Sequence, residues 1–231
     1  MNNLSRLLQE IKDNPVMYLD KPSITCLHFF LNGYLDARRD LGLDQEGSGI
    51  EGFQEWLEQK EKTEVGHQWS GIILFISRSE RSAFHIFFEL FEEFIKQKDS
   101  SKILENEDKY SANEDNLRFP EFDIYNEILK GIKKRPGMFL GTNSITRLDM
   151  VLRGTSQARR EVGIPPTDPE SKFEDFKSWI EEEYKIDSGQ SWAKIILFRS
   201  MDEHEALERF FELFEEYLNW NKSSEVNRRA S

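Results

Sequence analysis

Cysteine is nearly absent. Cys26 stands alone, so no internal disulfide framework is possible, and that usage points to a reducing compartment. Long apolar runs are missing too: none approaches the roughly 20 residues a membrane span needs. Residues Met1 to Asn14 are charged and amphipathic, without the continuous apolar stretch of a signal peptide. No Walker loop or glycine-rich nucleotide fingerprint occurs. Histidine is scarce, with four in the chain, which leaves little from which to build a zinc site or a Cys/His nucleophile pair. From these absences we expect a soluble, cytoplasmic protein with no cofactor, no metal site and no membrane contact.

What is present is apolar bulk and negative charge. Hydrophobic residues make up 38% of the 231, with 18 Phe and 5 Trp, enough for real cores. The 32% charged fraction and a mean hydropathy of −0.66 put the rest in water. Basic residues number 31 against 43 acidic, a net charge of −12. Such a chain repels nucleic-acid phosphate and anionic lipid, and draws a basic protein surface at long range.

Two stretches spell nearly the same thing. One runs Trp69, Ile72, Ile73, Leu74, Phe75, then Phe87, Phe88, Glu89, Leu90, Phe91, Glu92, Glu93; the other runs Trp192, Ile195, Ile196, Leu197, Phe198, then Phe210, Phe211, Glu212, Leu213, Phe214, Glu215, Glu216. The likeness extends upstream. Pro15, Met17, Leu19, Ser23, Ile24, Thr25, Leu27, Ala37, Arg38, Arg39 and Gly42 recur as Pro136, Met138, Leu140, Ser144, Ile145, Thr146, Leu148, Ala158, Arg159, Arg160 and Gly163. The step from Pro15 to Pro136 is 121; from Trp56 to Trp179 it is 123, so two residues enter the loop after Gly163, where Pro165-Pro166 sits. The expected architecture is therefore all-α, two tandem copies of a roughly five-helix unit joined by an acidic linker. The boundaries are 1–96, a linker at 97–121, 122–220, and a disordered tail at 221–231.

Periodicity supplies the helices. Leu4, Leu7, Leu8 and Ile11 share one side of a first helix that Asn14-Pro15 ends. Val16 to Leu19 reads as a short apolar connector. A second helix runs from Ser23 to Leu41, with Gly42 as its left-handed stop and a stripe of Leu27, Phe30, Leu31, Tyr34, Arg38 and Leu41. Ser48 and Glu51 form a capping box for a third, which carries Phe53, Trp56 and Leu57. The Ile72 to Phe75 run fits a fourth helix or a short buried strand; helix is preferred. Ser79 caps a fifth, with Phe84, Phe87, Phe88, Phe91, Phe94 and Ile95 on one face. In the second stretch, Asp202 with Glu205 replaces Ser79 as the cap, and Asp168-Pro169 is a sound helix start.

Few residues point to chemistry. A site used by both copies would recur, yet His28, His67, His85 and His204 stand opposite Asp149, Gln190, Glu208 and Arg81. No residue is assigned a catalytic role. Glu181, Glu182, Glu183, Glu215 and Glu216 fall on solvated helix faces and are the candidate partner-binding residues. Arg38 and Arg159 lie on apolar stripes, where an unpaired charge is costly. They read as buried ion pairs with a glutamate of a neighbouring helix, the other reading being a clamp for a ligand carboxylate. Lys133, Lys134, Arg135, Arg147 and Arg153 make one basic locality, but the overall charge argues against nucleic acid.

Lys134-Arg135-Pro136-Gly137-Met138-Phe139-Leu140-Gly141 resembles the RPGMYIG loop of the ATPase domain of DNA gyrase and its relatives. In that family the loop leads into a helix with a catalytic glutamate and a magnesium-binding asparagine. By position these fall at Gly154 and Ala158, or at Gly33 and Ala37, whose side chains cannot do that work. The family's Asp-x-Gly-x-Gly segment is also missing, and an ATPase is rejected.

Taken together, the Asn/Arg-Pro-x-Met-Tyr/Phe-Leu turn, the Ser-Ile-Thr-x-Leu helix start, the Trp before paired isoleucines and the Phe-Phe-Glu-Leu-Phe-Glu helix look like small bacterial proteins of unassigned function, some of them linked to polymorphic or contact-dependent toxins as immunity proteins. The resemblance implies a non-catalytic inhibitor that binds and occludes a toxin domain, a basic one given the charge here. The alternative is a small-molecule-binding protein or enzyme with a carboxylate-lined site between the repeats.

Overall fold

The computed structural model describes residues 3–43, 49–63, 66–102, 124–164, 168–186 and 188–229. Among these the chain is all helical, and no strand is formed. Two compact units emerge, Met1–Pro120 with Arg153–Ala158, and Glu121–Leu152 with Arg159–Ser231.

The first unit opens with α1 (Asn3–Asp13), whose Leu4, Leu7, Leu8 and Ile11 are all buried. Pro15 does not simply break the chain. It occupies the first position of a one-turn helix, α2 (Pro15–Leu19), where the missing N–H has no intrahelical partner to lose. The connector expected at Val16 to Leu19 is thus helical, and Asp20 at φ 62° closes it. Ser23 then caps α3 (Ile24–Asp40) by accepting the Cys26 N–H, and Gly42 ends it at φ 70°. After α4 (Phe53–Glu61) and α5 (Trp69–Ile76) comes α6 (Glu80–Lys102). The helical reading of Ile72 to Phe75 is correct.

Phe53 is the hub of this core. It is fully buried, and its ring meets Trp56 at 5.9 Å, Trp69 at 6.1 Å, Phe87 at 5.7 Å, and Phe91 and Phe94 at 5.5 Å. Each such side chain contributes about 1.5–3 kcal/mol by leaving water. Edge-to-face geometry adds about 0.5–1.5 kcal/mol per pair. Within the same unit Arg153 donates to both carboxylate oxygens of Asp20, at 3.0 and 3.1 Å, and Thr155 Oγ1 donates to the Gly33 carbonyl at 3.3 Å. A Cβ on Gly154 would lie 2.0 Å from the Phe30 carbonyl oxygen, so only glycine fits there.

The second unit is built on α7 (Ile124–Lys134), α8 (Pro136–Leu140), α9 (Ile145–Glu161), α10 (Asp168–Tyr184), α11 (Trp192–Phe198) and α12 (Glu203–Arg229), apart from residues 153–158 of α9, which belong to the first. Its core gathers Leu129, Ile132, Leu140, Phe173, Phe176, Trp192, Ile196, Phe210 and Tyr217, among others. Phe176 takes the hub, with Trp179 at 6.0 Å, Trp192 at 6.3 Å, Phe210 at 5.9 Å, Phe214 at 5.2 Å and Tyr217 at 5.5 Å.

Three expectations need correction. Six helices, not five, lie in each stretch, because α2 and α8 are too short for periodicity to reveal. α4 begins at Phe53 after Gly52, which carries no side-chain cap; Ser48 of the expected capping box lies outside the described residues. α6 runs to Lys102 and α12 to Arg229, past residues 96 and 220 where the expected repeats end, so the start of the expected linker and most of the expected disordered tail are helical. Most of the expected linker, 103–121, lies outside the described residues.

Candidate functional site

The Ser-Ile-Thr segments do more than start helices. In the first unit Ser23 Oγ donates to Glu80 Oε2 at 2.7 Å, the Thr25 N–H donates to the same oxygen at 3.0 Å, and Thr25 Oγ1 donates to Oε1 at 2.8 Å. Both oxygens of one carboxylate are held by the opening turn of α3, where exposed N–H groups favour negative charge. Glu80 is the first residue of α6, so the cradle ties the start of one long helix to the start of another. Burial pushes the Glu80 carboxyl up, but the bonds from Thr25 and Ser23 outweigh it and leave the group below the ordinary carboxylate value. In the second unit Ser144 Oγ, the Thr146 N–H and Thr146 Oγ1 hold Glu203 in the same way, at 2.8, 3.0 and 2.6 Å. Glu203 is again the first residue of its helix, α12.

Sequence reading missed these glutamates. The signal was there: Glu80 follows Ser23 by 57 residues and Glu203 follows Ser144 by 59, the difference being the two residues gained after Gly163. A second recurring pair was also missed. Lys12 bonds Glu92 at 2.9 Å and lies over the Phe88 ring at 5.7 Å; Lys133 bonds Glu215 and lies over Phe211 at 5.8 Å. Lys12 holds the Glu92 carboxyl below its ordinary value by hydrogen bond and charge.

The expected partner-binding carboxylates divide. Glu215 is engaged by Lys133, Glu216 lies 3.7 Å from Arg209, and Glu181 lies 3.7 Å from Lys177. Glu182 and Glu183 are exposed on α10. Hydrogen bonds to Tyr184 and Glu212 hold the Arg209 guanidinium more firmly in its charged form than usual. Arg38 is half-buried, with its guanidinium over the Tyr34 ring at 5.6 Å and donating to the Leu43 carbonyl at 3.3 Å. Arg159 is buried.

Cys26 is buried, and burial pushes its thiol up against the bond to Ser23, which disfavours the reactive thiolate. His28 is enclosed by the rings of Phe29 and Trp69, each at 5.0 Å, while His204 lies beside Asn143 and Glu208. Among the described residues no three His, Cys, Asp or Glu side chains converge as metal ligands would, and no helix is long and apolar enough to cross a membrane. No protein-family model, curated protein or solved structure matches the chain.

Large apolar side chains also reach the surface at matching places. Met17 and Met138 are 72% and 73% exposed, on α2 and α8. Phe75 and Phe198, at the ends of α5 and α11, are exposed as well, and Ile76 and Met201 follow them. Isolated exposed apolar residues are ordinary.

Proposed function

We infer that the chain is a non-catalytic, cytoplasmic protein-binding module made by doubling one helical block, and that it acts as a bacterial immunity-type protein that binds and occludes a basic toxin domain. The observation that carries this reading is the acidic balance, 43 acidic residues against 31 basic, expressed at the surface by carboxylates such as Glu182 and Glu183. Opposite charge steers a basic partner in and speeds association.

Supporting it, the residues that recur in both halves go into packing and helix starts: Trp69 and Trp192 within their aromatic cores, Ser23 and Ser144 in their cradles. The resemblance to toxin-linked immunity proteins points the same way.

The test mixes the purified chain with the protein encoded by the neighbouring gene and reads complex formation by size-exclusion chromatography with light scattering. A one-to-one complex is expected. Reversing charge with Glu182→Lys and Glu183→Lys slows its association by roughly tenfold at low salt and much less at high salt. Absence of a complex, or association indifferent to both charge and salt, contradicts the reading.

A further inference from the structure

The turn between α5 and α6 combines apolar exposure with uncancelled positive charge. Phe75 is 85% exposed and Ile76 41%, side by side at the end of a helix whose other face is buried through Trp69, Ile72 and Ile73. The turn is rigid. Ser77 Oγ donates to the carbonyls of Leu74 and Ser79, at 3.0 and 3.2 Å, and Ser79 Oγ accepts the Ser82 N–H at 3.1 Å. Arg78 and Arg81 are exposed there, and neither pairs with a carboxylate among the described residues. Glu80, between them in sequence, points both its oxygens into the Ser23–Thr25 cradle. The one carboxylate in the turn is therefore bound internally, while two guanidinium groups and two apolar side chains face water.

We propose that this turn is the docking point for a protein segment carrying apolar side chains and carboxylates together, the first laid on Phe75 and Ile76 and the second on Arg78 and Arg81. The proposal deepens the protein-binding reading above and rests on it. Charge complementarity selects the occupant. A lysine-rich segment would meet Arg78 and Arg81 unfavourably, and a purely apolar one would leave them without counterions. A second copy of this chain is disfavoured by the net charge of −12 that each copy brings. A basic toxin domain fits if its contact face is locally an apolar recess bordered by carboxylates: long-range charge brings it in, and the turn holds it.

The corresponding turn in the second unit is arranged differently. Phe198 is 78% exposed, and the guanidinium beside it, Arg199, lies over the Phe198 and Tyr184 rings at 5.9 and 5.7 Å and donates to the Tyr184 carbonyl at 3.4 Å. Met201 and His204 stand where Arg78 and Arg81 do, and His204 is engaged by Asn143 and Glu208. The two turns thus serve as a comparison, one engaged guanidinium against two that face water.

The test uses the full chain and three fluorescein-labelled helical peptides with identical Leu and Phe positions, bearing Glu, Gln or Lys at the polar ones, read by fluorescence anisotropy. The Glu peptide is expected to bind most tightly to the turn. Phe75→Ala weakens it about tenfold, and Arg78→Glu with Arg81→Glu weakens it about fivefold or more. Phe198→Ala leaves it unchanged, and the Lys peptide is indifferent to the Phe75 and arginine changes. Because these side chains are exposed, all variants should keep the wild-type melting curve.

The proposal is overturned by no binding of the Glu peptide, by binding unaffected by either first-turn variant, by an equal loss with Phe198→Ala, or by equal affinity for the Gln peptide. It is also overturned if sedimentation shows a dimer that Phe75→Ala dissociates, which would make a second copy the occupant. Failure with these peptides leaves the toxin-complex experiment standing, so the two readings fall separately.

Discussion

The first and second units part company most at α4 and α10. α4 has nine residues and begins at Phe53; α10 has 17 and begins at Asp168. Glycine accounts for the difference. Gly49 and Gly52 precede α4 in left-handed conformations, at φ 89° and 81°, and a glycine inside a helix costs about 1 kcal/mol relative to alanine. The equivalent positions, Lys172 and Asp175, carry no such penalty, and α10 runs through them. The longer helix brings in another ring, Phe173, 5.3 Å from Trp192.

Around this divergence the core geometry holds. Trp69 lies 4.9 Å from Phe87 at 36°, and Trp192 lies 4.7 Å from Phe210 at 37°. Phe87 and Phe91 stack at 5.5 Å and 14°; Phe210 and Phe214 do so at 5.7 Å and 15°. Ring packing admits few solutions and keeps them, whereas helix length at a surface loop drifts with a glycine or two.

The comparison breaks most easily at its hubs. Phe53→Ala and Phe176→Ala should each cost about 3–5 kcal/mol in chemical denaturation, because both rings are fully buried among aromatic neighbours. Losses differing by more than about 2 kcal/mol would mean the hubs are not equivalent.

The cradles sharpen it next. Glu80→Gln and Glu203→Gln each put an amide nitrogen where only acceptors are wanted, at a cost of about 1–3 kcal/mol. Glu80 adds a pH signature. Its folded pKa is lowered, so its stabilisation is present above the unfolded value of about 4.3 and is lost as pH falls through the folded value. Melting curves from neutral pH downward should show wild type losing stability over that acidic window, with a shallower slope for Glu80→Gln. An unchanged slope would mean the carboxylate is not held as described.

The smallest effects belong to the exposed pairs. Lys12→Met and Lys133→Met should leave melting almost unchanged, and any difference from wild type should vanish in high salt. A large loss from only one would show that its lysine acts through packing on Phe88 or Phe211.

Much of this was legible in the sequence, for a physical reason. Leu4, Leu7, Leu8 and Ile11, or Phe84, Phe87, Phe88 and Phe91, repeat at helical spacing and are buried as that spacing requires. Ser79 caps its helix through the Ser82 N–H and Asp202 accepts the Glu205 N–H as expected, while the Glu205 carboxylate accepts the Met201 N–H in place of the Asp202 N–H that a capping box would supply. Five-residue helices such as α2 hide because one turn has no period to read. Glu80 and Glu203 hid because a glutamate opening a helix looks like a solvated dipole partner. Only the fold brings Ser23 and Thr25 to it from 57 and 55 residues away. Arg38 was placed by its stripe, but its bond to the Leu43 carbonyl depends on a loop turn that periodicity does not describe.

The most direct test of one packing scheme carried out twice is fluorescence from two single-tryptophan proteins, one keeping only Trp69 and the other only Trp192, with Phe at the remaining Trp positions. The account predicts that both emit at similarly short wavelength, resist iodide quenching to the same degree and lose that protection together on unfolding. A red-shifted, readily quenched signal from one and a protected signal from the other would contradict it.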